Sequence, residues 1–118
     1  MSIEWIKYNG RKILYSDYSG LGETEMCSQL EEETKIIMEY TDEEKILYLA
    51  NFEDAEITPG FIKKGNEKGK ETSDKILKSA FIGVSGLKTL LLNTFNKFTG
   101  INARACKNHE DAKEFLVK

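Results

Sequence analysis

An almost unbroken apolar run at residues 45–52, Lys-Ile-Leu-Tyr-Leu-Ala-Asn-Phe, constrains the fold more than any other feature of this sequence. Strands that are covered by helices on both faces have such runs, whereas strands with one solvated face alternate apolar and polar residues. The run therefore predicts a central strand in a helix-covered sheet. Residues 76–84 have the same character and predict a second buried strand.

The segments around these two strands predict an α/β fold. Short aromatic and β-branched stretches at 3–9 and 12–18 flank Asn9-Gly10, a favoured hairpin turn, and so predict an antiparallel hairpin. Further segments predict four helices, over about 23–40, over 59–75, over 86–98 and after the cap residue Asn108, with a short edge strand at 102–106. The alternation of strands and helices predicts one α/β domain over residues 1–118 with four to five strands.

The spacing of apolar residues predicts the buried faces of the helices. The first helix has a stripe at helical spacing, Met26, Leu30, Thr34 and Ile37. The acidic residues beside it, Glu31, Glu32 and Glu33, are expected on the other faces of the helix.

The third helix carries a broad apolar arc whose role the sequence leaves open. The arc comprises Leu87, Leu90, Leu91, Leu92, Phe95 and Phe98, of which Leu87, Leu90, Leu91 and Phe95 form the candidate face. This face is consistent with ordinary core, with a homodimer contact or with the surface for a small apolar ligand. Ser85 is expected to cap the start of this helix.

No motif predicts an enzyme or a bound cofactor. Residues 65–72 have three residues between the glycines where a phosphate-binding loop needs four, and residues 83–87 lack the closing glycine of a nucleophile elbow. The single histidine, His109, is expected to be exposed, and a multi-histidine metal site is excluded. Only a deep pocket lined by Ser16, Asp17 and His109 would support catalysis. We therefore predict no catalytic residue, metal or cofactor.

Charge is distributed unevenly along the chain. Residues 1–59 carry five Lys and Arg against fourteen Asp and Glu, whereas residues 60–118 carry twelve against six. The overall net charge of −3 argues against a nucleic-acid partner. No apolar stretch approaches the roughly 20 residues of a transmembrane helix, and residues 1–5 do not resemble a signal peptide. With only two cysteines, we expect a cytoplasmic protein without integral membrane association.

The turn before the second helix is the best candidate site. Thr58 suits a helix cap and Pro59 the first helical position, while Gly60, Gly65 and Gly69 each cost the helix roughly 1 kcal/mol relative to alanine. A phosphate on Thr58 would meet the free N–H groups at the start of this helix. The alternative is that Thr58 is an ordinary cap.

Charged residues on both sides of this turn would respond to such a phosphate. Lys63 and Lys64 lie one helical turn further on and would attract it, whereas the three carboxylates before the turn, Glu53, Asp54 and Glu56, would repel it. The candidate partner surface is therefore Glu56, Thr58, Pro59, Gly60, Lys63 and Lys64.

The chain resembles the STAS domain family of bacterial anti-anti-sigma factors, and especially the small bacterial STAS-like or SEC14-like proteins. The resemblance rests on residues 13–20, 46–52, 80–87 and 110–116. It implies a four- or five-stranded mixed sheet with helices mainly on one side. It also implies phosphorylation of a serine or threonine at the start of the second helix. Here that residue is Thr58, with Glu56 in place of the family's aspartate.

Two functions follow as expectations from the residues and the resemblance. The first is a non-enzymatic regulatory module that binds a protein partner, or forms a homodimer, and is switched by phosphorylation of Thr58. The alternative, implied by the SEC14-like relatives, is a carrier or sensor of a lipid or another small apolar ligand.

Overall fold

A five-stranded mixed sheet with the strand order β1-β2-β3-β4-β5 forms the centre of the protein. The computed structural model describes residues 2–118. The strands are β1 (Ser2–Tyr8), β2 (Arg11–Asp17), β3 (Ile46–Asn51), β4 (Ile76–Ile82) and β5 (Ala103–Cys106). The helices are α1 (Glu23–Glu39), α2 (Pro59–Thr72), α3 (Lys88–Thr99) and α4 (His109–Val117), and a 3₁₀ turn (Ser73–Lys75) follows α2. The predicted fold class is confirmed.

The N-terminal hairpin lies at one edge of the sheet. Strand β1 pairs with β2 antiparallel, whereas β2, β3, β4 and β5 are mutually parallel. Asn9 and Gly10 form the turn with φ values of 50° and 77°. Both residues tolerate a positive φ, which is why this pair allows the two strands to join through so short a turn.

Strand β3 is central and all six of its residues are buried, as its apolar run predicts. Its side chains alternate between two apolar clusters. Tyr48 and Ala50 belong to the cluster under α1 and α2, whereas Leu47 and Leu49 contact Ala112 and Leu116 of α4. Helix α3 covers Ala103 and Phe81 on the same face as α1 and α2. Three helices therefore lie on one face of the sheet and α4 on the other.

The buried stripe of α1 is wider than predicted. Leu30 and Ile37 are buried as expected, but Gln29 and Glu33 are also buried, with 0% and 5% of their surfaces exposed. The expectation that Glu33 faces solvent is wrong. Positions 26, 29, 30, 33, 34 and 37 form one continuous helical face, and the strands beneath it supply hydroxyl groups that bind the polar members.

The start of α3 also differs from the prediction. The helix begins at Lys88, and its N-cap position is Leu87, which has no side-chain cap. Ser85 does not cap the helix, since its backbone carbonyl instead accepts a turn hydrogen bond from the N–H of Lys88. Gly86 has a φ of 59°, outside the right-handed helical region, so the helix cannot begin there. The predicted helix end is confirmed, because Gly100 follows Thr99 with a φ of 78°.

Candidate functional site

The Thr58 turn has the predicted helix cap and a contact that the sequence does not indicate. The Oγ1 atom of Thr58 accepts a hydrogen bond from the N–H of Phe61 at 3.2 Å, which caps α2. The Thr58 hydroxyl in turn donates to Oε1 of Glu23, in the first turn of α1. A Cβ atom on Gly60 would lie 2.7 Å from the same oxygen. The Glu23 carboxylate therefore already occupies the start of α2, where a phosphate on Thr58 would be placed.

The two lysines predicted to attract a phosphate have different environments. Lys63 is exposed, but Lys64 forms an ion pair with Glu31 of α1 at 2.7 Å, and Lys68 lies 3.8 Å from the same carboxylate. The hydrogen bond that Glu31 accepts from Lys64 lowers the pKa of the Glu31 carboxyl. Glu56, Pro59 and Gly60 are exposed beside the turn. Helices α1 and α2 are thus joined at the surface by Glu23–Thr58 and Glu31–Lys64.

The apolar arc of the third helix divides into exposed and buried parts. Leu87, Leu90, Leu91 and Phe98 are exposed over 83%, 63%, 37% and 51% of their surfaces, and we call these four residues the α3 patch. Phe95 does not belong to the patch, because it packs inward with its ring centroid 5.7 Å from that of Phe81. Three of the four residues of the predicted candidate face are therefore accessible.

Basic residues surround the α3 patch. Helix α3 contains Lys88 and Lys97 and no acidic residue. The Nζ atom of Lys70, from α2, lies 5.1 Å from the centroid of the Phe98 ring. The patch is therefore an apolar surface with a positive rim, and it lies in the half of the chain that carries the excess of lysine and arginine.

A cavity of about 110 Å³ lies between the sheet and the helices α1, α2 and α3. Its wall is mostly apolar and includes Phe52, Phe61, Phe81, Leu92, Phe95 and Ile101. Asn66 of α2 and Lys88 and Leu91 of α3 also line it and are partly or largely exposed, so the cavity reaches the surface between these helices. Ser79 of β4 lines it as well, with 1% of its surface exposed.

Glu33 lies buried on the same side of the sheet and also lines the cavity. Its carboxylate accepts hydrogen bonds from the hydroxyls of Ser16 at 2.7 Å, of Tyr48 at 2.7 Å and 2.8 Å, and of Tyr18. Gln29 donates to the Ser16 hydroxyl at 2.9 Å. Burial raises the pKa of the Glu33 carboxyl, although these hydrogen bonds oppose the rise. The pKa values of Tyr18 and Tyr48 are raised well above their usual range, chiefly by burial, so both phenols stay protonated donors.

The structure does not assemble the pocket that would support catalysis. His109 is half-buried rather than exposed, and its Nε2 atom lies 2.9 Å from the Tyr15 hydroxyl. Ser16, the next residue of β2, belongs to the opposite face and donates to Glu33, since successive strand residues alternate between faces. Asp17 accepts a hydrogen bond from the N–H of Ser19. Ser16 and His109 are therefore separated by the sheet.

Residues 2–118 contain neither a metal-binding cluster nor a helix that could span a membrane. This part of the chain contains no group of three or more His, Cys, Asp or Glu side chains placed to hold a metal ion. None of its helices is long and apolar enough to cross a membrane. Cys27 and Cys106 are free and half-buried, and burial raises the pKa of the Cys106 thiol.

The accessible and the buried features thus lie on one side of the sheet. The Thr58 turn and the α3 patch are at the surface, and the cavity and the Glu33 carboxylate are beneath the helices. Comparisons of the chain with protein-family models, with curated proteins and with solved structures found no match. The function is therefore inferred from the geometry of these features.

Proposed function

We propose that the protein is a non-enzymatic regulatory module of the STAS type that binds a protein partner through the α3 patch and the adjoining Thr58 turn. The exposed α3 patch is the observation that carries this proposal. Three leucines and a phenylalanine at 37% to 83% exposure are grouped on one helix and the residue before it, and grouped apolar residues at a surface mark interaction sites, whereas scattered ones do not. We place the module in the cytoplasm, because its two free cysteines suit a reducing compartment.

The rim of the patch indicates the chemistry of the partner. Lys70, Lys88 and Lys97 surround an apolar centre, which fits a partner surface that is apolar in the middle and acidic at its edge. A two-fold homodimer would place the same patch on both sides of the interface and would bring these lysines close to their copies. The charge pattern therefore favours a different protein over a second copy of this chain.

Phosphorylation of Thr58 would act through the contact between α1 and α2. A phosphate adds about −1.5 to −2 charges at pH 7, and here it would face the Glu23 carboxylate that the hydroxyl now contacts. Repulsion between the phosphate and Glu23 would separate the start of α2 from α1. Lys64 and Lys68 are paired with Glu31, so the exposed Lys63 is the nearest lysine in the sequence that is free to pair with the phosphate. The switch would thus change the position of α2, which packs against α3.

The size of the cavity bears on the alternative function. A volume of about 110 Å³ is comparable with the roughly 150 Å³ of a protein cavity that holds one benzene molecule. An acyl chain of lipid length is much larger than this space. The geometry therefore favours partner binding over the carriage of a lipid.

Replacement of two patch leucines tests the proposed surface. We expect Leu87→Ser with Leu90→Ser to reduce capture of the partner at least about tenfold, because burying one leucine side chain contributes about 1.5–3 kcal/mol. The same change should leave the melting temperature nearly unchanged, since both side chains are exposed. The measurement is quantitative mass spectrometry of proteins captured from a lysate of the native cells.

Leu77→Ser is the matched control for this experiment. Leu77 is 54% exposed, similar to Leu90, but it lies on β4 outside the α3 patch. We expect this variant to capture the same protein as the wild type at the same level. The proposal fails if the patch variant and the wild type capture the same proteins equally well.

The switch at Thr58 is tested by comparing two substitutions. Thr58→Ala removes the cap and the hydrogen bond to Glu23, and it should destabilise the protein by about 1 kcal/mol. Thr58→Glu also places a second carboxylate beside Glu23, so we expect a further fall in melting temperature and a several-fold change in partner capture. The added substitution Glu23→Gln should restore both values toward those of Thr58→Ala. Equal partner capture by Thr58→Ala and Thr58→Glu would contradict the switch.

A further inference from the structure

We infer that the cavity between the sheet and helices α1, α2 and α3 is a binding site for one small, neutral, mostly apolar molecule of about ring size that carries a hydroxyl group. This site goes beyond partner binding, because its wall is formed mostly by internal side chains, and of the α3 patch only Leu91 lines it. Its position and its wall residues are given by the packing of three helices on one face of the sheet.

The volume limits the size of the ligand. About 110 Å³ exceeds the space for a single water several times, since one water needs only about 10–15 Å³ measured in the same way. It is also close to the roughly 150 Å³ that accommodates benzene. The occupant is therefore a molecule of about one ring or a short chain.

Ser79 defines the polar requirement of the ligand. Its hydroxyl is the one buried side-chain polar atom in residues 2–118 that has no hydrogen-bond partner. Leaving such a group unpaired inside a protein costs about 1–3 kcal/mol. The neighbouring Thr72 and Thr34 hydroxyls, which also line the cavity, donate to backbone carbonyls of their own helices. A ligand hydroxyl within reach of Ser79 would remove the cost of leaving that group unpaired.

The remaining wall excludes a charged ligand. Lys68 and Lys88 also line the site, but both are partly exposed. The interior surface is formed largely by aromatic and aliphatic side chains, and an unpaired charge buried among them is strongly disfavoured. Glu33 already accepts hydrogen bonds from Ser16, Tyr18 and Tyr48, and its carboxylate would repel an anion. The ligand is therefore neutral.

Helix α2 provides a route into the site. Gly65 and Gly69 line the cavity and each lowers the stability of the helix by about 1 kcal/mol relative to alanine. A Cβ atom on Gly69 would lie 2.8 Å from Phe95 and 2.9 Å from Thr99, so this glycine is required for the close packing of α2 on α3. A weak helix at the mouth of the cavity can open locally without unfolding the sheet.

A pair of probe molecules tests the inference directly. Phenol and benzene differ by one hydroxyl, and each is titrated into the full chain while the methyl resonances of Leu92 and Ile101 are followed by NMR. We expect both probes to shift these resonances and phenol to bind about fivefold more tightly, the effect of one hydrogen bond. Ser79→Ala should abolish this preference, so that phenol and benzene bind about equally. Ser85→Ala, at an exposed serine outside the cavity wall, is the control and should leave the preference unchanged.

The variant needed for this test should fold. Because the Ser79 hydroxyl has no partner to lose, we expect Ser79→Ala to melt at the same temperature as the wild type or higher. The inference is overturned if neither probe shifts the cavity resonances, or if the phenol preference persists in Ser79→Ala. A long-chain lipid found in the purified protein by native mass spectrometry would also overturn the size limit. Leu87 and Leu90, the residues changed to test partner binding, do not line the cavity, so partner binding is tested separately.

Discussion

Glu33→Ala is expected to destabilise the protein by about 3–5 kcal/mol and to lower its melting temperature by more than about 10 °C. The carboxylate is 5% exposed and accepts the hydroxyls of Ser16, Tyr18 and Tyr48. Its removal leaves three buried donors without an acceptor and enlarges the neighbouring cavity, and both changes cost free energy. Thermal unfolding followed by circular dichroism measures the effect.

The neighbouring Glu32→Ala is the matched control. Glu32 is exposed on the same helix, so we expect a change within about 0.5 kcal/mol. A loss of similar size in the two variants would show that the Glu33 network does not stabilise the core.

The same carboxyl gives the protein a defined pH dependence. Burial raises the pKa of Glu33 in the folded state, whereas the unfolded chain has an ordinary value of about 4.3. Between these two values the folded protein binds the additional proton, so stability falls as the pH rises, by at most about 1.4 kcal/mol per unit. The stability of wild type relative to the non-titrating Glu33→Gln is therefore greatest below the unfolded pKa and declines through the folded pKa. If the stability of wild type relative to Glu33→Gln instead rose with pH between these two values, the folded-state pKa of Glu33 would not be raised.

Gly83→Ala is expected to cost several kcal/mol, on the order of 3 or more. Gly83 follows β4 with a φ of 81°, and a Cβ atom there would lie 2.5 Å from the backbone N of Glu53 and 2.7 Å from the carbonyl carbon of Phe52. The atoms that would clash belong to the backbone, so no side-chain rotation relieves the contact. Urea unfolding measures the loss.

Gly86→Ala is the control that separates the two contributions to the cost of Gly83→Ala, the clash with the backbone and the strain of a positive φ. Gly86 also has a positive φ, 59°, but a Cβ atom there meets nothing within 4 Å. This variant should therefore lose only the roughly 1–2 kcal/mol that a left-handed conformation costs alanine. If both glycine variants lose the same amount, the close approach of the segments after β3 and β4 does not limit the fold.

The fold class, the hairpin and the central strand were predictable because local patterns indicate them. Asn9-Gly10 favours the hairpin turn, and the apolar run at 45–52 is typical of a strand covered on both faces. Thr58 and Asn108 were recognised as caps because a capping oxygen acts within three residues of its own position.

The features that depend on distant segments could not be predicted in the same way. Glu33 is buried because Ser16 of β2, Tyr18 just after β2 and Tyr48 of β3 supply donors, and nothing near Glu33 in the sequence indicates them. The only indication in the sequence that Glu33 could be buried was its position on the same helical face as the apolar stripe, which the structure shows to comprise positions 26, 29, 30, 33, 34 and 37. The cavity results from the joint packing of three helices, so no single segment of the sequence encodes it.

Leu91 and Phe95 illustrate the same limit. They are one helical turn apart and equally apolar, yet Phe95 packs on Phe81 and Leu91 remains 37% exposed. Periodicity shows that a helix has an apolar face, but the width that the sheet covers depends on the angle at which the helix packs. The α3 patch is the part of this face that the fold leaves uncovered.

Site-specific photo-crosslinking tests the proposed partner surface most directly. A photoreactive benzoylphenylalanine replaces Leu90 in the α3 patch in one variant and Leu77 on β4 in the other, and both are irradiated in the native cells. We predict a covalent adduct of defined mass with one protein at position 90 and none at position 77. Adducts of the same pattern at both positions, or no adduct at position 90, would contradict the proposal that the α3 patch binds a protein partner.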